Sequence, residues 1–223
     1  MECSLAQRGV SVGKLFFYSD QGIETPGNVR LDRLLLEGLE PEKVKMAYIP
    51  STEDNGKTYF NLKAQYYRDY GIREILFFDL YSEFNLLKID ELMQCDIIHL
   101  SAGNPIELRK ALKHRGMDGY FRDYLDRGGI FAGVSGGAVQ FGKSTKLFQL
   151  FAGDSGETLE GLQFVNFEFL PHYNRWSEKF KKQVQDYART TGTTVYAGND
   201  GDGLIVENGK VQFIGDIILI NGH

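Results

Sequence analysis

Cysteine is scarce in this sequence of 223 residues, which contains only Cys3 and Cys95. Two cysteines cannot form a disulfide framework or a four-cysteine zinc site, so a reducing compartment fits best. The patterns H-E-x-x-H and C-x-x-C, which mark metal sites in other proteins, are also absent. No motif in the chain requires a metal ion or another cofactor, and we expect none.

The sequence also lacks an excess of basic residues and any long apolar run. It has 25 Lys and Arg against 30 Asp and Glu, a net charge of −5, which argues against a sequence-independent nucleic-acid binder. No apolar run approaches the roughly 18 residues of a membrane span. Residues 1–13 contain no apolar core of a secretory signal. We therefore expect a cytoplasmic protein that binds neither nucleic acid nor membrane.

The composition that remains is that of a globular protein, with 42% hydrophobic residues and 26 glycines. A chain of this length forms one domain or two tight ones. Residues 1–13 are polar and without a clear period, which predicts a loose leader. Residues 14–223 contain no repeat and no linker, and we expect them to form a single α/β domain.

Apolar, β-rich segments alternate with segments of helical spacing through the first 145 residues. Strands separated by helices indicate βαβ units and a mostly parallel sheet. The continuous apolar segment 72–80 is typical of a sheet with helices on both faces. The predicted strands are 14–19, 43–49, 72–80, 96–100 and 130–134.

The pattern changes after residue 145, where strand-like segments follow one another. One helix is predicted at about 176–190, and Asn208-Gly209 predicts a hairpin that continues into 210–214. We expect these segments to extend the same sheet and to end in a C-terminal β-hairpin. The predicted strands of this part are 147–152, 162–170, 194–197, 203–207 and 210–214.

Two motifs overlap within residues 133–144. Residues 133–137 fit G-x-S-x-G, in which a serine, here Ser135, lies at a sharp turn between a strand and a helix. Gly137 to Ser144 fits the phosphate-binding loop G-x-x-x-x-G-K-S, with Lys143 as its lysine. The apolar run 138–141 favours the first motif because it is typical of the first buried turn of a helix. A glycine-rich junction without chemistry is a third alternative.

A serine nucleophile needs a base, usually histidine, and the sequence has four histidines. His172 follows a strand-like segment, and sites assemble at the ends of strands in such sheets. His99 lies within an apolar strand, where a core position is expected. His114 lies near the end of a predicted helix, where its charge meets the helix dipole, and His223 is the last residue.

The base also needs an acid that orients it. Asp200 follows a predicted strand, and Asp202 in the same turn is an alternative. The resulting chain order is serine, histidine, acid, whereas α/β-hydrolases have serine, acid, histidine. To fit that order, Asp154 would have to be the acid before His172, or His223 would have to be the base.

Residues 101–105 form a second turn of small residues, between a predicted strand and a helix. One interpretation is that the Gly103 N–H points at the site, as the Gly136 N–H does after Ser135. The other is a helix start, with Asn104 as N-cap and Pro105 in the first turn. Both can hold at once.

These motifs together resemble peptidase family S51, which includes aspartyl dipeptidase (dipeptidase E) and cyanophycinase. The resemblance rests on Ala102-Gly103-Asn104, the 133–137 elbow, Pro171-His172 and the turn 200–204, and it spans residue 14 to about 215. His172 follows Ser135 by 37 residues. The resemblance implies a flavodoxin-like α/β fold related to class I glutamine amidotransferases.

The resemblance also implies a serine-type dipeptidase acting on a small peptide substrate. By position, Ser135 is the nucleophile, His172 the base and Asp200 the acid, and Gly136 and Gly103 provide the oxyanion hole. Aspartyl dipeptidases read the substrate carboxylate with an arginine-bearing stretch after the histidine, and residues 174–182 do not match it. The candidate substrate-binding residues here are Asn104 and Arg175.

Two other functions stay open at this point, a phosphate-loop nucleotide-binding protein and a non-catalytic binding module of the same fold. The sequence also leaves monomer and homodimer open.

Overall fold

The computed structural model describes residues 13–22, 28–153 and 158–222. The predicted leader lies outside these ranges except for Gly13, and so do Cys3, Asp154 and His223. Within the described ranges, no helix is long and apolar enough to cross a membrane. The same ranges contain no group of three or more His, Cys, Asp or Glu side chains that could hold a metal ion.

The strands of the described chain are distributed over two sheets. The larger has seven strands in the order β3-β2-β4-β5-β1-β8-β9, and the smaller has three in the order β10-β7-β6. They are β1 (Lys14–Tyr18), β2 (Lys45–Ile49), β3 (Glu74–Phe77), β4 (Ile97–Leu100), β5 (Ile130–Val134), β6 (Glu168–Leu170), β7 (Val195–Gly198), β8 (Gly203–Glu207), β9 (Lys210–Ile214) and β10 (Ile217–Ile220).

The larger sheet confirms the predicted architecture. Strands β3, β2, β4, β5 and β1 run parallel, and the β8–β9 hairpin joins β1 in antiparallel fashion. The helices of the described residues are α1 (Asn28–Leu35), α2 (Thr58–Asp69), α3 (Ile89–Met93), α4 (Pro105–His114), α5 (Met117–Asp126), α6 (Gly136–Val139), α7 (Lys146–Ala152) and α8 (Glu178–Thr191).

Helices cover both faces of the larger sheet. Neighbouring side chains of a strand point to opposite faces, and in β1 the side chains on both faces are apolar and buried. Leu15 and Phe17 of β1 belong to a buried cluster that includes residues of α3, α4 and α5. Phe16 and Tyr18 belong to a second cluster, which includes residues of α1 and α2. The expected helix-covered parallel sheet is therefore present.

The prediction that every later strand extends this sheet was wrong. Strands β6, β7 and β10 form the separate small sheet, and the inner face of α8 packs on it through Val184 and Ala188. The strand predicted at 147–152 is helix α7, whose Leu147 and Leu150 pack in the same small cluster at helical spacing. Of the segment predicted as a strand at 162–170, only Glu168–Leu170 forms a strand, which is β6.

The carboxyl ends of β1 and β5 in the larger sheet lie close to those of β6 and β7 in the smaller one. Ser135 follows β5, His172 follows β6 and Asp200 follows β7. The Ser135 N–H donates to the Tyr18 carbonyl at the end of β1 at 2.9 Å. Three strand ends, from two sheets, thus bring these three residues to one place.

Candidate active site

Ser135 occupies a strained turn between β5 and α6. Its φ of 51° and ψ of −112° lie outside the regions that non-glycine residues normally adopt. The next helix begins immediately, at Gly136. The glycines around the turn allow this close packing, since a Cβ on Gly137 would lie 2.2 Å from the Leu100 carbonyl oxygen. This is the strand–turn–helix geometry that the G-x-S-x-G motif predicts.

The phosphate-loop interpretation of Gly137 to Ser144 does not match this backbone. Gly137 to Val139 are helical, and Ala138 and Phe141 are fully buried rather than open to a ligand. The Lys143 ammonium lies 3.4 Å from the Thr193 hydroxyl, and the Ser144 hydroxyl donates to Glu168 at 2.6 Å. The segment begins with a short buried helix and does not form an open loop around phosphates.

A chain of hydrogen bonds links Ser135, His172 and Asp200. Ser135 Oγ lies 2.8 Å from His172 Nε2, and His172 Nδ1 lies 2.7 Å from Asp200 Oδ1. The His172 backbone is left-handed, with φ of 59°, so that its ring turns back towards β5. The structure thus brings together the three side chains that the sequence singled out, and each ring nitrogen of His172 has one partner.

Asp200 is held by more than the histidine. Its Oδ2 accepts hydrogen bonds from Asn174 Nδ2 at 3.0 Å and from Arg175 Nε at 2.6 Å. Burial alone would raise the pKa of Asp200, but hydrogen bonds from His172, Asn174 and Arg175 outweigh it and lower the pKa below its ordinary value. Asp200 is therefore a carboxylate at neutral pH and can accept a hydrogen bond from the His172 Nδ1–H group.

The alternative acid, Asp202, has a different partner. Its Oδ1 accepts a hydrogen bond from the Arg30 guanidinium at 2.9 Å. The left-handed Gly201 turn separates the two aspartates, so that only Asp200 bonds to the imidazole.

The turn after β4 lies directly against the serine turn. Gly103 has φ of 139°, and a Cβ on Gly136 would lie 2.1 Å from the Gly103 carbonyl oxygen. Neither the Gly103 nor the Gly136 N–H donates to another group of the described residues. Both glycines line a cavity together with Ser135, and an oxyanion requires N–H donors of this kind.

The two candidate substrate-binding residues already have structural partners. The Asn104 side chain caps α4 by accepting from the N–H groups of Ile106 and Glu107, at 2.9 and 3.3 Å. Arg175 pairs with Asp200 and, at 3.3 Å, with Asp20. Arg175 therefore supports Asp200 through Nε, and the remaining N–H groups of its half-exposed guanidinium can still meet a substrate.

Two cavities near Ser135 differ in charge. A charged cleft of about 780 Å³ extends from the Gly103 turn; its charged residues are Asp20, Lys63 and Arg175, and tyrosine side chains also line it. Burial lowers the pKa of Lys63 to about 8, against the attraction of Asp32 and Asp20. The other cavity, of about 110 Å³, is lined by Ser135, His172 and a group of apolar side chains.

His99 is a core residue, as the sequence indicated. It is fully buried in β4, and its Nδ1 lies 2.9 Å from the Tyr67 hydroxyl. Burial lowers the pKa of His99 well below its ordinary value, so the ring is neutral.

Sequence reasoning missed three contributors to this site. They are Ser19, whose hydroxyl accepts from the His172 N–H at 2.7 Å, Asn174, and the apolar lining provided by α7. Ser19 and His172 are 153 residues apart, and no local pattern records such a contact. Apolar spacing at 147–151 was the available signal for α7.

A parallel α/β sheet with a serine at a strand–helix elbow and a histidine beside it is the arrangement of a class of hydrolytic enzymes. The model of peptidase family S51 matches residues 15–214, and the chain belongs to this family. Family membership supports a peptidase.

Three relatives show how far the similarity extends. An uncharacterized peptidase, YgaJ of Bacillus subtilis (strain 168), is 23% identical over 188 residues, covering 80% of this chain and 76% of its own. A crystal structure of a putative peptidase E protein from Listeria monocytogenes EGD-e has a TM-score of 0.69 at 19% identity, covering 94% of this chain and 98% of its own. The structure of a peptidase from an acI-B1 Actinobacterium has a TM-score of 0.70 at 18% identity, covering 97% of this chain and 93% of its own. These structures share the fold.

Proposed function

We propose that this protein is a serine-type peptidase that hydrolyses short peptides through an acyl-enzyme. The observation that carries the proposal is the continuous hydrogen-bonded path from Ser135 Oγ through His172 to Asp200. A nucleophile, a base within hydrogen-bond reach and a third group that orients the base are the parts such catalysis needs. Membership of peptidase family S51 supports the same chemistry.

In the proposed reaction, His172 Nε2 takes the Ser135 hydroxyl proton as Oγ bonds to the substrate carbonyl carbon. The carbonyl π electrons move onto oxygen, and the Gly103 and Gly136 N–H groups donate to that oxyanion. His172 then gives the proton to the leaving amine as the peptide C–N bond breaks. Water repeats the sequence on the ester, which releases the acid and restores Ser135. Asp200 keeps the proton of His172 on Nδ1 and stabilises the imidazolium.

The expected substrate is a dipeptide or another small peptide. The support is the motif resemblance to dipeptidase E and the peptidase E name of the Listeria neighbour. Arg175 is engaged with Asp200 and Asp20, and residues 174–182 do not match the arginine-bearing stretch of aspartyl dipeptidases, so the proposal does not include a preference for an N-terminal Asp.

The test measures release of free amino acids from a panel of dipeptides and tripeptides, with wild type, Ser135→Ala and Lys143→Ala. We expect Ser135→Ala to lose several powers of ten in kcat. Lys143→Ala should retain activity, because the Lys143 ammonium bonds to the Thr193 hydroxyl and not to Ser135, His172 or Asp200. Full hydrolysis by Ser135→Ala would contradict the proposal. Magnesium-nucleotide binding that Lys143→Ala abolishes would instead favour the phosphate-loop function.

A further inference from the structure

An apolar pocket opens beside Ser135, on the side of His172. We call it the aromatic pocket, and define it by Leu147, Phe148, Phe151, Trp176 and Phe180. Ser135, Gly136 and His172 also line it, so the reacting atoms are at its wall. Among the residues that the structure describes, its lining contains no Asp, Glu, Lys or Arg.

The aromatic rings of the pocket pack on one another. The Phe151 ring lies 4.4 Å from the Trp176 ring and 5.7 Å from the Phe180 ring, measured between centroids. The Trp176 indole N–H already donates to the Pro171 carbonyl at 2.7 Å. The indole N–H of Trp176 is therefore already satisfied, and an apolar ligand in the pocket would not deprive it of a hydrogen bond.

Part of this apolar surface is exposed although it lies at the site. The Phe151 side chain is 49% exposed on α7, and Trp176 is half-buried. When a substrate side chain covers exposed aromatic surface beside a nucleophile, the free energy of the complex falls. The enclosed volume of about 110 Å³ is below the ~150 Å³ of an apolar cavity that takes benzene, and the exposed Phe151 side leaves the pocket open, so that one Leu- or Phe-sized side chain can enter it.

The charged cleft near Ser135 differs from the aromatic pocket in carrying charged side chains. Its charged side chains are Asp20, Lys63 and Arg175. Charged or polar parts of a peptide thus have a place outside the aromatic pocket.

From these observations we propose that the aromatic pocket is a specificity subsite, which binds a bulky apolar side chain, such as Leu or Phe, of a residue flanking the scissile bond. This inference rests on the proposed peptidase activity. A hydrophobic pocket discriminates by roughly 10- to 200-fold for each methylene-sized difference that it senses. We therefore expect kcat/KM for Leu and Phe peptides to exceed that for Gly peptides by at least tenfold.

The activity test uses two peptide series, Xaa-Ala and Ala-Xaa, with Xaa as Gly, Leu, Phe, Asp or Lys. Phe151→Ala should lower kcat/KM for Leu and Phe peptides about tenfold more than for Gly peptides in the preferred series. Phe213→Ala is the matched control, a phenylalanine on β9 that is 46% exposed and does not line the pocket. It should leave the preference unchanged.

A binding test separates this inference from the proposed activity. Trp176 is the only tryptophan in the sequence, so intrinsic fluorescence reports on the pocket directly. Phenylalanine amide should change the fluorescence of Ser135→Ala saturably, glycinamide should not, and adding Phe151→Ala should abolish the change.

Each result bears on one or both of the two proposals. Equal rates across the series, a preference for Asp or Lys, or an equal loss for all substrates in Phe151→Ala would overturn the subsite. Phe151-dependent binding of phenylalanine amide without turnover of any peptide would keep the aromatic pocket as a binding site for bulky apolar side chains, and would reject both the peptidase activity and the pocket's role as a peptidase subsite. Absence of both binding and apolar preference would reject the subsite alone if Ser135-dependent turnover persists.

Discussion

The hydroxyl of Ser19 holds the backbone of His172 in place. Ser19 Oγ accepts the His172 N–H at 2.7 Å and donates to the Gly198 carbonyl oxygen at 2.8 Å. Ser19 itself is fully buried and follows β1 of the large sheet, whereas Gly198 ends β7 of the small one. One hydroxyl therefore joins the ends of both sheets at the residue that faces Ser135.

We predict that Ser19→Ala lowers kcat much more than it changes KM. Loss of the hydroxyl leaves the His172 N–H unpaired, which costs about 1–3 kcal/mol of stability. A small displacement of the imidazole then reduces turnover, on the order of tenfold to a hundredfold. Steady-state kinetics at a temperature where the variant is folded measure this effect.

Ser144→Ala is the control for Ser19→Ala. Its hydroxyl also makes a hydrogen bond, to Glu168 at 2.6 Å, but not to His172. Equal kcat losses in both variants would show that Ser19 acts through general stability and not through His172.

The two aspartates of the 200–202 turn give a matched pair of variants. Asp200→Asn should reduce kcat by ~10³–10⁴-fold. An amide that donates to His172 Nδ1 leaves the imidazole proton on Nε2, and a protonated Nε2 cannot accept the Ser135 proton. Asp202→Asn should change kcat no more than a few-fold, since Asp202 pairs with Arg30. Kinetics on one peptide compare them, and the reverse order would assign Asp202 as the orienting acid.

Close packing between two turns predicts the effect of a single methyl group. In Gly136→Ala the new Cβ would meet the Gly103 carbonyl oxygen at 2.1 Å, so the two turns must separate. We expect a loss of roughly 1–3 kcal/mol in unfolding free energy. Displaced oxyanion donors should also reduce kcat by about a hundredfold or more.

Gly119→Ala is the comparison for this variant. Gly119 lies in α5, is exposed, and a Cβ there would have nothing within 4 Å. The substitution should stabilise the protein by about 0.5–1 kcal/mol and leave kcat unchanged. Denaturant unfolding of the two variants and kinetics check both statements, and a Gly136→Ala protein of wild-type stability would refute the packing argument.

Glu168 provides a prediction about pH and stability. It is almost fully buried, and burial raises its pKa above the ordinary 4.5, although hydrogen bonds from Ser144 and Tyr187 oppose the shift. The folded protein then holds a proton at this site at pH values where the unfolded chain has released it. As pH rises from about 4.5 through the folded pKa, the wild-type protein therefore loses stability from this group.

The variant Glu168→Gln keeps an oxygen acceptor but has no proton to lose. We predict that its unfolding free energy, relative to wild type, increases as pH rises from about 4.5 to 7. Denaturant unfolding at several pH values measures the difference, and Glu42→Gln, at an exposed position, controls for the loss of a charge. A difference that falls with pH would contradict the assigned direction of the shift.

Local sequence patterns predicted much of the large sheet. The five parallel strands, the β8–β9 hairpin at Asn208-Gly209 and the N-cap role of Asn104 follow from periodicity and turn chemistry within a few residues. The prediction for 147–152 was wrong because short apolar segments fit a strand or a helix equally well. Packing of Leu147 and Leu150 beside α8 selected the helix.

The parallel α/β architecture and the elbow at Ser135 can be predicted from local patterns, because both depend on residues that are near one another in the chain. The folded chain was needed to show that Asp200 and not Asp202 contacts His172, that Ser19 joins the two sheets, and that α7 and Trp176 form a pocket beside the serine. These contacts connect residues far apart in the chain. They arise where the ends of β1 and β5 come close to those of β6 and β7, and no local pattern encodes that approach.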